Sequence, residues 1–201
     1  LPCTDHCHRR ACGREDRGRW RLYGYLPRER HRLLPEDTVL NVLPLFHVGG
    51  LNILPTPAFS IGATVELHEK FDPVATCDAL QRVDAAILVP TVLRAVMASP
   101  AWATADFSRL RVASIGSTDV PVEMIDAMHE RGVPIIQVYG ATETAPFAIY
   151  QTVDEAHDTV GSIGRVGHSC QVRLVQGGHD VALGEPGEIL VARFKPDDVP
   201  F

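Results

Sequence analysis

From Thr38 onward the chain alternates short apolar runs with stretches of helical period, and this alternation limits its fold more than any other feature. The apolar runs at Val39 to Leu43, Ala63 to Leu67, Ala85 to Val89, Val112 to Ile115 and Ile135 to Tyr139 read as strands. Helices are expected at about Val48 to Ser60, Pro73 to Val83, Thr91 to Ala98 and Val122 to Arg131. Asp72 before Pro73 is a cap followed by a first-turn proline, and Gly132 after Glu130 and Arg131 is a stop. Strands alternating with helices of this length imply an α/β fold with a mostly parallel sheet flanked by helices on both faces.

The pattern changes toward the end. QVRLVQGGHDVALGEPGEILVA holds two β-rich runs joined by Gly-Gly and Gly-Glu-Pro-Gly turns, with no helix between them. This reads as a small antiparallel β unit, here assigned to residues 160–201, after an α/β part over 35–159.

Residues 1–34 differ from both. Residues 1 to 33 contain nine arginines, three of the five cysteines and three of the nine histidines, and no period runs through them. Cys3, His6, Cys7, His8 and Cys12 are zinc-ligand types, but their crowding does not match paired zinc spacings. A basic arm for an anionic partner is a second reading. A poorly ordered stretch outside the natural reading frame is a third, since arginine-rich composition with only two lysines, Lys70 and Lys195, suits a GC-rich gene.

The net charge of −6 gives no nucleic-acid footprint, and no apolar run reaches the length of a membrane span. Without a secretory leader pattern, the expectation is a cytoplasmic protein whose partners are small molecules. Cys77 and Cys170 read as small core hydrophobes.

Three predicted strands end in unusual sequence: NVLPLFHVGG after the first, SIGSTDVP at the fourth and YGATET at the fifth. In a parallel sheet these ends share one edge and line one crevice. Gly140 frees the backbone to turn after Tyr139, and Thr142, Glu143 and Thr144 bring oxygens just past the strand. Tyr139 offers a flat face for a nucleobase, Thr142 a hydroxyl for a phosphate, and Glu143 a hard oxygen for Mg²⁺.

YGATET after a β-run resembles the [Y/W]-G-x-T-E signature of the adenylate-forming (AMP-binding) superfamily, which includes acyl-CoA synthetases and aryl-CoA ligases. LPLFHVGGL at 43–51, SIGSTDVP at 114–121, GSIGRVG at 161–167 and GEPGEILVA at 184–192 resemble further motifs of that family in the same order. The LFHVGGL form leans toward the acyl-CoA synthetase, or fatty-acid–CoA ligase, branch. The resemblance implies activation of a carboxylic acid, fatty or aromatic, by ATP to acyl-AMP, followed by transfer to CoA. It implies that Tyr139 stacks on adenine, Thr142 contacts the phosphate and Glu143 holds Mg²⁺. By the same resemblance Gly140 and Ala141 would form the wall of the carboxylate pocket, Gly116, Ser117 and Thr118 would border the adenine and acyl group, and His47 would stand near the carboxylate and the CoA path. Read without the resemblance, His47 would be a core histidine bonded to a backbone carbonyl.

The family's phosphate loop, expected upstream of LPLFHVGG, has no counterpart here, and its T-G-D aspartate and catalytic lysine, expected after GEILVA, are absent too. The expectation is an internal part of a larger enzyme, inactive alone. The alternative is a degenerate module that binds AMP or acyl ligands without catalysis. A dinucleotide oxidoreductase is disfavoured because no G-x-G-x-x-G follows a predicted strand.

Overall fold

The computed structural model describes residues 30–144, 146–168 and 170–193. The zinc-type residues Cys3 to Cys12 lie outside this range.

Seven strands form one sheet in the order β2-β1-β3-β4-β5-β6-β7. They are β1 (Thr38–Asn41), β2 (Thr64–Leu67), β3 (Ala85–Leu88), β4 (Val112–Gly116), β5 (Ile135–Tyr139), β6 (Ile149–Tyr150) and β7 (Arg165–Val166). The first five run parallel, and β6 and β7 continue the sheet antiparallel. Each of the five expected strands is present within two residues of its expected ends. The two-residue strands β6 and β7 are too short to carry an alternation visible in sequence.

Helices α1 (Val48–Asn52) and α2 (Pro55–Ile61) join β1 to β2, α3 (Pro73–Leu80) joins β2 to β3, α4 (Pro90–Met97) follows β3, and α5 (Val122–His129) follows β4. The single helix expected over 48–60 is divided because Pro55 lacks the N–H that would continue a helix and instead opens a new one. Asp72 caps α3 as expected, its carboxylate accepting the Ala75 N–H at 2.7 Å.

Strand β1 is flanked on both sides because the chain moves from it to β2 at the edge and returns across it to β3 on the other side. Right-handed crossovers then put α2 on one face and α3, α4 and α5 on the other. The side chains divide accordingly. Leu40, Ala86, Leu88, Ala113 and Ile115 pack with Leu80, Leu93, Ile125 and Met128 on the first face, while Val39, Ala85, Ile87, Val112 and Ile136 pack with Leu54 and Ala58 on the second. Both faces are buried, which is why β3 is apolar throughout and β4 carries one polar side chain, Ser114, with no alternation. Each large aliphatic so buried is worth about 1.5–3 kcal/mol.

Part of the arginine-rich segment is integral to this packing. Leu33, 2% exposed, joins the second face, and Arg30 and His31 are fully buried. Asp37 is buried and accepts the Leu34 N–H at 2.7 Å and a guanidinium N–H of Arg111. Packing is thus continuous across residue 34.

The second sheet, β10-β8-β9, contains β8 (Cys170–Gln176), β9 (His179–Asp180) and β10 (Glu188–Arg193), all antiparallel. Residues 165–166, which the sequence grouped with this unit, pair with β6 in the large sheet. Cys77 and Cys170 are buried, as expected of small core hydrophobes, and burial raises the Cys77 thiol pKa.

Candidate active-site cleft at the carboxyl edge of the sheet

A cleft of about 270 Å³ opens at the carboxyl ends of the parallel strands. Its walls come from the segments after β1, β3, β4 and β5, so it straddles the β1/β3 position where the strand order reverses. That is the place an open α/β sheet leaves free for a ligand, because adjacent crossovers depart to opposite faces there.

Seven of the nine candidate residues line it: His47, Gly116, Ser117, Gly140, Ala141, Thr142 and Glu143. Tyr139 ends β5 immediately before the lining run and is 37% exposed. Thr118 follows Ser117 on an exposed turn and does not line the cleft.

The YGATET segment is the loop of the β5–β6 hairpin. It holds a single 3₁₀ turn over Thr142–Thr144 and closes through the Ala148 N–H to the Tyr139 carbonyl at 3.0 Å. Thr144 builds this turn: its Oγ1 accepts the Ala141 N–H at 2.7 Å and lies 3.0 Å from the Ala141 carbonyl oxygen. Of the three oxygen-bearing side chains, Thr142 and Glu143 face the cleft and Thr144 supports them from within. The chain turns after Tyr139, and Gly140 takes part in that turn without a positive φ. What requires glycine is the close approach of the Pro146 carbonyl, 1.8 Å from where a Cβ would stand.

His47 is exposed and caps α1, its Nδ1 accepting the Gly49 N–H at 3.0 Å. This differs from the core histidine bonded to a carbonyl. A ring whose Nδ1 accepts carries its proton on Nε2, so that nitrogen is the donor. Across the cleft Ser117 has φ +83°, an uncommon conformation for a residue with a side chain. The resemblance has glycine at this position, which adopts that region without strain.

A network of side-chain amides secures the β5 end. The Gln137 N–H donates to Gln151 Oε1 at 2.6 Å, and Gln137 Nε2 to the Ser162 carbonyl at 2.7 Å. Gln151 Nε2 in turn donates to the Thr159 carbonyl at 2.7 Å. The GSIGRVG motif thereby serves as a strut, with Gly164 (φ +96°) so close to Tyr150 that a Cβ would lie 2.2 Å from its carbonyl carbon.

The sequence did not single out Ile53 and Phe147, two apolar walls of the cleft, because an isolated apolar residue in a loop has no distinguishing pattern. Nor did it single out Arg30 behind them. Its guanidinium stacks 3.7 Å from the centre of the Phe147 ring and lies 3.4 Å from the Ile53 carbonyl. Burial lowers the Arg30 pKa to about 9. Burial first, and then the Arg30 charge, hold the His31 ring well below its ordinary value. His31 is therefore neutral: Nδ1 faces the Arg30 donors at 3.2–3.3 Å, and Nε2 donates to Ser114 Oγ at 3.0 Å.

Among the described residues no three His, Cys, Asp or Glu side chains converge as a metal site. Glu143 alone offers a carboxylate on the cleft wall among its lining residues. That donor set fits Mg²⁺, which is commonly held by one or two carboxylates together with substrate phosphates.

The AMP-binding enzyme family matches residues 20–194. Among curated proteins, an indoleacetate–CoA ligase of Aromatoleum aromaticum is 50% identical over 164 residues, 80% of this chain and 32% of that protein. A feruloyl-CoA synthase of an Amycolatopsis species is 37% identical over 165 residues, 80% of this chain and 33% of that protein. Among solved structures, the O-succinylbenzoate CoA synthetase of Bacillus subtilis in complex with ATP and magnesium ion has a TM-score of 0.75 at 25% identity, covering 90% of this chain and 37% of that one. The chain spans about a third of the length of the curated relatives it matches. Among the described residues no helix is long and apolar enough to cross a membrane.

Proposed function

Because the chain belongs to the AMP-binding enzyme family, we propose that it is part of an acid–thiol ligase that converts an aromatic carboxylic acid to its acyl-adenylate with ATP and then to its CoA thioester. The observation that carries this reading is the convergence of His47, Gly116, Ser117 and Gly140 through Glu143 on one cleft at the carboxyl edge. An aromatic acid is preferred to a fatty one because the 50% identical relative is named for indoleacetate. ATP and CoA as substrates suit a cytoplasmic location.

In this reading Tyr139 stacks on the adenine ring and the Thr142 hydroxyl donates to a phosphate oxygen. Gly140 and Ala141 supply a wall without bulk beside the reacting carboxylate, and Gly116, Ser117 and Thr118 border the adenine and acyl group. His47, with its proton on Nε2, stands toward the carboxylate and the CoA path. Glu143 holds Mg²⁺, which when bound supplies charge neutralisation at the phosphates. The protein's part is positioning and electrostatic stabilisation, so no side-chain nucleophile is needed.

The phosphate loop and catalytic lysine that the resemblance implies have no counterpart in these 201 residues. The chain alone is therefore inactive in this reading, and activity belongs to a longer parent; a module that binds AMP or acyl ligands without catalysis is the second reading. The test is AMP release by that parent with ATP, CoA and a panel of indole-3-acetate, ferulate and a long-chain fatty acid. Turnover with the fatty acid alone overturns the aromatic reading. Rapid turnover by the 201-residue chain overturns the need for the parent.

A further inference from the structure

Arg30 is the one charged side chain buried directly behind a cleft wall among the described residues, and packing does not account for it. Its Nη1 has no hydrogen-bond partner among the described residues. Among the described residues its other contacts are the neutral His31 ring, the Ile53 carbonyl and the faces of Phe147 at 3.7 Å and Tyr150 at 5.8 Å. No carboxylate of the described residues forms an ion pair with it, whereas the half-exposed Arg82, Arg109 and Arg111 each have one. A buried cation without an anion is costly, and an apolar residue of the same volume would fill the space more cheaply.

Two of its contacts, Ile53 and Phe147, are themselves walls of the cleft. A charge set one side chain behind an enclosed wall is poorly screened by water, so its field extends into the cleft. We propose that Arg30 is a positioning residue: its guanidinium adds a positive contribution to the potential of the cleft, opposed by Glu143 on the wall, and a ligand's anionic group supplies a counter-charge that no described residue provides. The inference rests on the proposed acid-activating function for the identity of that anion, a carboxylate or the phosphate of an adenylate. The lowered pKa of about 9 leaves the guanidinium charged at neutral pH. Phe147, stacked on its face, separates the cation from the cleft while leaving its field in place.

The experiment compares the 201-residue chain with Arg30→Met, which removes the charge and keeps most of the volume. Binding of indole-3-acetate, its neutral amide indole-3-acetamide, and AMP is measured by calorimetry at pH 7. The expected result is about ten-fold weaker binding of the acid with the amide unchanged, the size of one partly screened charge interaction. A residue that only fills space would move both ligands together. If the acid fails to bind the wild-type chain but Arg30→Met weakens AMP, the aromatic-acid reading falls and the role of Arg30 stands. Equal affinity of both chains for every anion, or no anion bound by the wild type, overturns the proposal. Should Arg30→Met not fold, Phe147→Leu removes the intervening ring. The acid-to-amide affinity ratio then rises, and an unchanged ratio overturns the proposal.

Discussion

Gly140 and Pro146 meet across the β5–β6 loop so closely that a β-carbon on residue 140 would stand 1.8 Å from the Pro146 carbonyl oxygen. The obstacle is backbone, so no rotamer relieves it. Gly140→Ala must displace the loop that carries Thr142 and Glu143. We expect a loss of about 1–3 kcal/mol in urea denaturation, the range for inserting bulk into a packed site, together with loss of AMP binding. An alanine variant as stable as wild type would contradict the close contact.

Ser117→Gly should act in the opposite direction. A non-glycine residue in the left-handed region costs roughly 1–2 kcal/mol, part of which is offset by the greater entropy that glycine loses on folding. With φ +83° at Ser117, the variant should be more stable by about 0.5–1 kcal/mol, measurable by the same denaturation assay. Destabilisation would mean that the Ser117 hydroxyl contributes more than its backbone costs.

Leu33 tests whether the segment before residue 34 belongs to the fold. It is 2% exposed against the α2 face of the sheet, so Leu33→Ala should cost about 2–4 kcal/mol. A change below 0.5 kcal/mol, the scale of exposed substitutions, would detach the segment from the core.

Acid should destabilise the chain well before its carboxylates titrate. The pKa values of His31 and His129 are lowered in the folded chain, each chiefly by burial, with the Arg30 charge lowering His31 further and the neighbouring His157 lowering His129 against the opposing effects of the Ile135 N–H and Asp126. The unfolded chain takes up protons near 6.5, so their contribution is complete above that pH and is lost as pH falls below it. Protonating His31 also costs it the lone pair that faces Arg30. Between pH 6.5 and 5.5 the stability should fall with a slope approaching 1.4 kcal/mol per pH unit for His31, about the value for one proton. Asp84 and Glu155, whose pKa values are lowered from 3.8 and 4.5, keep their charge through this window. Thermal melts should show the loss in wild type and less of it in His31→Gln. Parallel curves would exclude His31 as the source.

Tyr139 separates binding from folding. Because it is 37% exposed at the end of β5, Tyr139→Ala should leave the melting temperature nearly unchanged while weakening AMP binding. About 1–3 kcal/mol is the usual contribution of an aromatic face stacked on a base. Unaltered AMP affinity would remove Tyr139 from the proposed adenine site.

The α/β class, the five parallel strands and most of the cleft residues could be read from the chain alone. Strands buried on both faces are apolar runs, and Asp72-Pro73 marks a helix start whatever surrounds it. The ends of those strands then share an edge by topology, so the residues after β1, β4 and β5 were bound to meet. The backbone conformation and side-chain direction within the loops were not readable in this way. No local pattern records that the Pro146 carbonyl closes on Gly140, that Thr144 serves the turn while Thr142 faces the cleft, or that Ser117 has positive φ. The burial of Arg30 was the least legible, because its composition resembles that of a solvated arginine-rich stretch and only the packing of Phe147, Ile53 and His31 around it makes it a core residue. Periodicity along the chain determined the elements and their order, since the pleat and the helical turn repeat locally. The burial of a charge and the free space beside a backbone depend on how separate segments and loops close on one another, and tertiary structure alone decided them.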